Sequence, residues 1–267
     1  METSRIRRNK TIRRELLMVQ LEEKKLEQAA RNARPSGWKI QLEQRIPDKV
    51  RLGLESAFCK GFALVFEQGR AIIELSYSKK GLKAEHAARD ALLRTKGSGL
   101  RQMKRSARRG DRLNMAVTAA EGVGLGALGV GLPDIVLFLS MLLKGIYETA
   151  LHYGFDYEAR QEQLLILRMM SAALSTGADF AWQNRQVDKL LENKPLAITE
   201  EEFQAQLQQT ASVFAVDMLL LKFIQGLPVV GIFGGAANPV YYNKVMGYVR
   251  LKYRKRYLLK QKNGTSQ

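Results

Sequence analysis

Four side chains are the candidates for chemistry in this sequence: Glu121, Asp134, His152 and Asp156. Glu121 and Asp134 lie in the most apolar stretch of the chain, EGVGLGALGVGLPDIVLFLSMLLKG (121–145). Carboxylates embedded in apolar surroundings can hold a raised pKa and handle protons. The structural alternative has Asp134, just after Pro133, capping the next helix and Glu121 pairing with a nearby arginine, and the residue types favour it. His152 stands two residues before Gly154, where a helix C-terminus favours an imidazole. No second histidine lies nearby, which disfavours a metal or general-base role.

His86 falls on a charged helix and is expected to be exposed. Cys59, on an apolar helix face, reads as core. With one cysteine and two histidines in the chain, internal disulfides and Cys- or His-rich metal sites are excluded. Gly124, Gly126 and Gly129 match GxGxxG, but no strand precedes them and no acidic residue follows at the required distance. The match is accidental. No Walker, GxSxG or HExxH pattern occurs, so no metal or cofactor is implied.

Charge is the stronger signal. Forty-three basic residues against 26 acidic ones give a net charge of +17, which calls for an anionic partner such as lipid headgroups or nucleic acid. The basic regions 5–14, 101–112 and 250–262 are expected to face anionic lipid, and two clusters carry the expectation of anion or lipid binding: Arg101, Lys104, Arg105, Arg108, Arg109 and Arg112, then Arg250, Lys252, Arg254, Lys255 and Arg256. The second is interleaved with Tyr241, Tyr242, Tyr248, Tyr253 and Tyr257. Tyrosines of that kind suit a membrane interface, or they pack on the core while the basic face is solvated. Nucleic-acid stacking is the disfavoured third reading.

Helical elements must position these groups. Residues 11–33 use strong helix formers and carry a ragged apolar stripe, suggesting a solvated amphipathic helix or a partner-binding arm. Pro47-Asp48 starts a helix with apolar groups at Val50, Leu54, Ala57, Phe58 and Phe62. Residues 83–95 form another. Residues 156–192 read as a helical pair or one broken helix, with Asp156 as N-cap. Thr199 and Glu202 make a capping box for a helix to about Gln225. Tyr241–Gln261 is a basic helix with no acidic residue. Strand-type alternation is weak. The expected fold is all-α: a basic N-terminal helix or arm (1–36), one multi-helix domain with a central Gly-rich hairpin (37–262) and a disordered tail (263–267).

Val123 to Leu143 is long enough, at about 1.5 Å per residue, to cross about 30 Å of hydrocarbon. Its leucines favour insertion, but Asp134 costs about 2.5–3.5 kcal/mol near the centre, and Pro133 and the glycines weaken the span further. Two readings remain. Gly122–Gly131 and Ile135–Leu143 fold back as a hairpin in the protein core, or that hairpin dips into one leaflet. Gly122, Gly126 and Gly129 share a helix face and allow close helix packing; Gly231, Gly234 and Gly235 are the expected partners. Charged residues interrupt any secretory-type apolar region near the N-terminus, so a cytoplasmic setting, peripheral to the inner membrane, is expected.

Several segments together resemble the EcsC family. They are AAEGVGLGALGVGLPDIVLFLSMLLKGIYETALHYGFD (119–156), the following helix with Arg168, and FIQGLPVVGIFGGAANPVYYNKV (223–245) leading into an Arg-rich helix. WKIQLEQRIPDKVRLGLESAF (38–58) resembles the family's opening. The family pattern falls on Gly122, Gly124, Gly126, Asp134, Tyr153, Gly154, Asp156, Pro228, Gly231, Gly235 and Asn238, so the resemblance covers about 38–258 and leaves the N-terminal helix outside. The family has no established activity and is named for a member encoded beside an ABC transport system. The resemblance therefore implies a membrane-linked setting, with a membrane transport complex as a candidate partner. The expected function is non-enzymatic binding of an anionic membrane surface. The rival is a lipid-directed hydrolase with its site beneath the Gly-rich hairpin.

Overall fold

The computed structural model describes residues 2–32, 46–69, 82–83, 86–87, 90, 132–192, 197–224 and 237–263. Among these residues there are seven bounded α-helices and no strand: α1 (Glu2–Asn32), α2 (Asp48–Leu64), α3 (Leu132–His152), α4 (Arg160–Leu174), α5 (Gly177–Glu192), α6 (Glu200–Ile224) and α7 (Ala237–Asn263). The all-α expectation holds. The expected hairpin cannot be followed, because its glycine half and the second glycine patch, Gly231 to Gly235, lie outside the described residues.

α4 is the centre of the packing. Twelve of its 15 residues are buried, including Leu164 to Leu167 and Met169 to Leu174. A helix shielded on nearly every side needs neighbours on every side, and α5, α6 and α7 all pack against it. α2 supplies Leu54, Phe58, Gly61 and Phe62, an i, i+4, i+7, i+8 stripe, to the junction with α3 and α6. There Phe214 gathers Phe58, Phe62 and Phe138 at ring separations of 5.5, 5.8 and 6.4 Å. Such aromatic pairs add about 0.5–1.5 kcal/mol each beyond their buried area.

α3 carries the one helix window among the described residues that is apolar and long enough to cross a membrane, Ile135–His152. Two-thirds of that window (67%) is buried inside the protein, against α2 and α7. Among the described residues, two further glycines, Gly61 and Gly145, stand at close approaches. A methyl group at Gly61 would press on Ile135, and one at Gly145 would overlap the Tyr242 hydroxyl. α3 ends as its glycine predicts. Gly154 has φ +76°, Phe155 N–H donates to the Ala150 carbonyl (2.9 Å) and Gly154 N–H to that of Leu151 (3.0 Å). This pair of bonds is a Schellman closure.

Two local expectations meet different outcomes. The capping box forms in both directions, with Glu202 N–H on the Thr199 hydroxyl and Thr199 N–H on the Glu202 carboxylate, each at 3.2 Å. Asp156 does not cap α4, whose N-cap is Ala159. Its carboxylate instead accepts the Glu158 N–H at 3.2 Å and the Lys83 ammonium at 2.7 Å, which holds it in the preceding turn.

Candidate functional site

The four candidate side chains do not assemble into one described site. Glu121 lies outside the described residues. Asp134 is in the first turn of α3, and its side chain is not described. His152 is buried at the end of α3, while Asp156 is exposed and paired with Lys83. His86 is half-buried rather than exposed. Its Nδ1 is 3.0 Å from the His152 carbonyl oxygen, and its ring meets Tyr257 edge-on at 5.9 Å. Burial, with Glu55 nearby, pushes the Cys59 thiol up, away from thiolate reactivity. Among the described residues no cluster of three or more His, Cys, Asp or Glu side chains can hold a metal ion.

The basic cluster 101–112 lies outside the described residues, but the terminal cluster is fully visible and corrects the expectation of a lipid-facing strip. Lys252 is 0% exposed, and its ammonium lies 2.6 Å from Glu23 of α1 and 2.7 Å from Asp188 of α5. Lys255 reaches the same two carboxylates at 2.9 and 3.0 Å. Arg254 pairs with Glu22 at 2.9 Å. Arg256 donates to both oxygens of buried Glu162, which also accepts the Tyr253 hydroxyl at 2.7 Å. Arg250 is half-buried.

The physical cause is direct. α7 has no acid of its own, so a buried cation on it must find its carboxylate on another helix. Tyr248, Lys252 and Lys255 stand at i, i+4, i+7 and present that need to α1 and α5. The five tyrosines of α7 are buried as well. Burial pushes the phenols of Tyr241, Tyr248 and Tyr253 up, and neighbouring carboxylates add to the effect: Asp217, Asp188 and Glu162 respectively. Phenols held this way cannot serve as stacking platforms.

α1 is the other half of this seam, and sequence reasoning missed how it sorts its charge. Ile12, Leu16, Val19, Glu23, Glu27 and Ala30 recur at three- and four-residue steps and face the domain. Glu22 and Glu23 face the cations of α7, while Glu27 accepts the Asn184 amide at 3.2 Å. Turned the other way are Arg7, Lys10, Arg13, Arg14 and Lys24, all exposed. Ile6, Leu17 and Leu21 stand among them, 53–61% exposed. From Ile6 to Gln28 that outward stripe contains no acidic residue. The signal was present in the sequence as helical spacing of the acids, but only their partners on α7 show which face turns inward.

A family model described as the EcsC protein family matches residues 10–258. The match begins inside α1 and so takes in most of the helix that the sequence resemblance left outside. Over 125 residues the chain is 33% identical to "Protein EcsC" of Bacillus subtilis (strain 168), a stretch covering 46% of this chain and 50% of that protein. The chain thus spans about half the length of that curated relative. No solved structure matches the chain.

Proposed function

Starting from the EcsC family, to which this chain belongs, we propose a non-enzymatic, peripheral protein of anionic membrane surfaces, docked through the outward face of α1. The observation that carries this reading is the charge sorting on that helix. Glu22, Glu23 and Glu27 turn toward the domain, and five exposed cations remain outside with three exposed aliphatic side chains among them.

Such a face suits an interfacial helix, in which long cationic side chains reach the headgroups while aliphatic ones enter the acyl boundary. Each Lys or Arg near an anionic leaflet contributes about 1 kcal/mol, falling off within a Debye length. The proposal moves the lipid contact away from the terminal helix, whose cations are consumed internally. A cytoplasmic setting on the inner leaflet is part of the proposal.

The test is co-sedimentation with vesicles of phosphatidylglycerol and phosphatidylcholine. The protein should pellet at low salt and be released near 1 M salt, where the Debye length is about 3 Å. Replacing Lys10, Arg13 and Arg14 together by Gln should weaken partitioning about 100-fold, three contacts at about 1 kcal/mol each. Those side chains are exposed, so the circular dichroism spectrum should not change. A wild-type protein that ignores anionic vesicles at low salt, or a triple variant that pellets as well as wild type, overturns the reading.

A further inference from the structure

Where α1 and α7 diverge beyond the ionic seam, a cavity of about 820 Å³ opens between them, floored by the α4–α5 junction. Its walls are chiefly apolar and small: Leu26, Ala29 and Ala30 of α1, Ala173, and Gly247 and Leu251 of α7. That volume and lining belong to the range of small-molecule sites, about 300–1,000 Å³ with a few polar groups to fix orientation.

Gly247 lies on the α7 wall of this cavity. It lies inside a 27-residue helix, where glycine is a poor helix former. At Gly145 and Gly61 a side chain would collide with a neighbour, whereas a Cβ at Gly247 would meet nothing within 4 Å. Among the described residues no contact requires glycine there, and its lack of a side chain leaves that part of the cavity wall open. Gly53 is equally free of neighbours but does not line this cavity.

The polar groups at the cavity specify the sign of the ligand. Lys25 stands on the α1 wall with no ion pair among the described residues, and Lys244 stands on the α7 wall. Lys244 donates to the Leu174 carbonyl at 3.3 Å and lies 3.8 Å from Asp217. The one acid in the lining, Glu22, is engaged by Arg254. Apolar walls with the unengaged Lys25 ammonium at their edge fit an acyl chain with an anionic head.

We propose that the cavity between α1 and α7 binds a long-chain fatty acid, its carboxylate held by Lys25 and its chain lying along Gly247. Lys25 and Leu26 belong to the helix whose outer face is proposed to lie on lipid, so the mouth opens beside a source of the ligand. The source rests on that membrane reading; the binding site itself does not.

The experiment is a fluorescence titration of the full chain with cis-parinaric acid, competed by palmitate, with Gly247→Leu and Gly247→Ala as variants. Wild type should bind saturably at one site. Gly247→Leu should fill the cavity and lower affinity at least tenfold, while its melting temperature rises by about 2–4 °C from the better helix former. Gly247→Ala should gain stability and keep most of the binding, and Lys25→Glu should weaken it. Vesicle co-sedimentation of Gly247→Leu should be unchanged.

Absence of saturable binding by wild type, or equal binding by a folded Gly247→Leu variant, overturns the proposal. So does a concentration-dependent dimer that Gly247→Leu abolishes, since the cavity would then hold a second copy of the chain. Loss of vesicle binding with parinarate binding intact overturns only the membrane reading.

Discussion

Replacing Lys252 by methionine tests the ionic seam at its most buried point. The substitution keeps an unbranched stem and a contact with the Tyr248 ring, over which the ammonium now sits at 5.3 Å, but it removes the charge shared by Glu23 and Asp188. Removing one partner of a buried ion pair costs about 3–5 kcal/mol, because the remaining charge stays buried without compensation. Here Lys255 stays within 2.9 Å of Glu23 and 3.0 Å of Asp188 and supports both. The loss should therefore fall at the low end, about 3 kcal/mol. For a chain of this size that is about 6–12 °C in melting temperature.

The assay is urea denaturation and thermal melting of Lys252→Met, Glu23→Gln and the double variant. The double should lose about 1–3 kcal/mol less than the sum of the singles, since each single already breaks the shared contact. Amide exchange in α1 should quicken first, because Glu23 ties that helix to α7. A loss below about 1 kcal/mol, or strictly additive variants, would refute the argument that a buried charge seam holds α1 in place.

The buried phenols predict alkaline behaviour. Tyr241, Tyr248 and Tyr253 are raised above the ordinary value, chiefly by burial. The unfolded chain surrenders these protons near pH 10 while the folded one keeps them. Stability is therefore complete below about pH 10 and is lost above it at about 4 kcal/mol per pH unit for three groups. Lys255 acts in the same direction: burial pulls its ammonium down, but Asp188 and Glu23 more than offset this. Tyrosinate absorbance followed with circular dichroism should show these phenols ionising together with unfolding, and gradual ionisation in a folded chain would refute it. Gly145→Ala should cost about 1–3 kcal/mol by overpacking against Tyr242; a urea midpoint equal to wild type would count against that close approach.

Local signals were legible where the chemistry is local. The Thr199–Glu202 box, the Gly154 closure and the Pro47-Asp48 start each depend on residues within one turn, and each forms as its spacing predicts. Asp156 was misread because two partners compete for one carboxylate. Lys83, 73 residues away in the chain, and the Glu158 N–H hold it in the turn, a choice that spacing within α4 cannot reveal.

The sequence by itself determined an all-α chain with a strong positive charge, no metal-binding set of cysteines or histidines, and two long basic helices. Those are properties of composition and of short-range periodicity. Tertiary structure decided which basic helix has its charge neutralised internally. Lys252, Lys255 and Arg254 read in sequence as part of a lipid-facing cluster, yet Lys252 and Arg254 are buried and Lys255 nearly so, because Glu22, Glu23 and Asp188 arrive from α1 and α5. α1 mixes acids with its cations in sequence, yet its outward stripe holds no acid because Glu22, Glu23 and Glu27 face α7 and α5. A side chain's charge is local, but its neutralisation depends on what another helix brings within about 3 Å, and no periodicity along one strand of sequence carries that information.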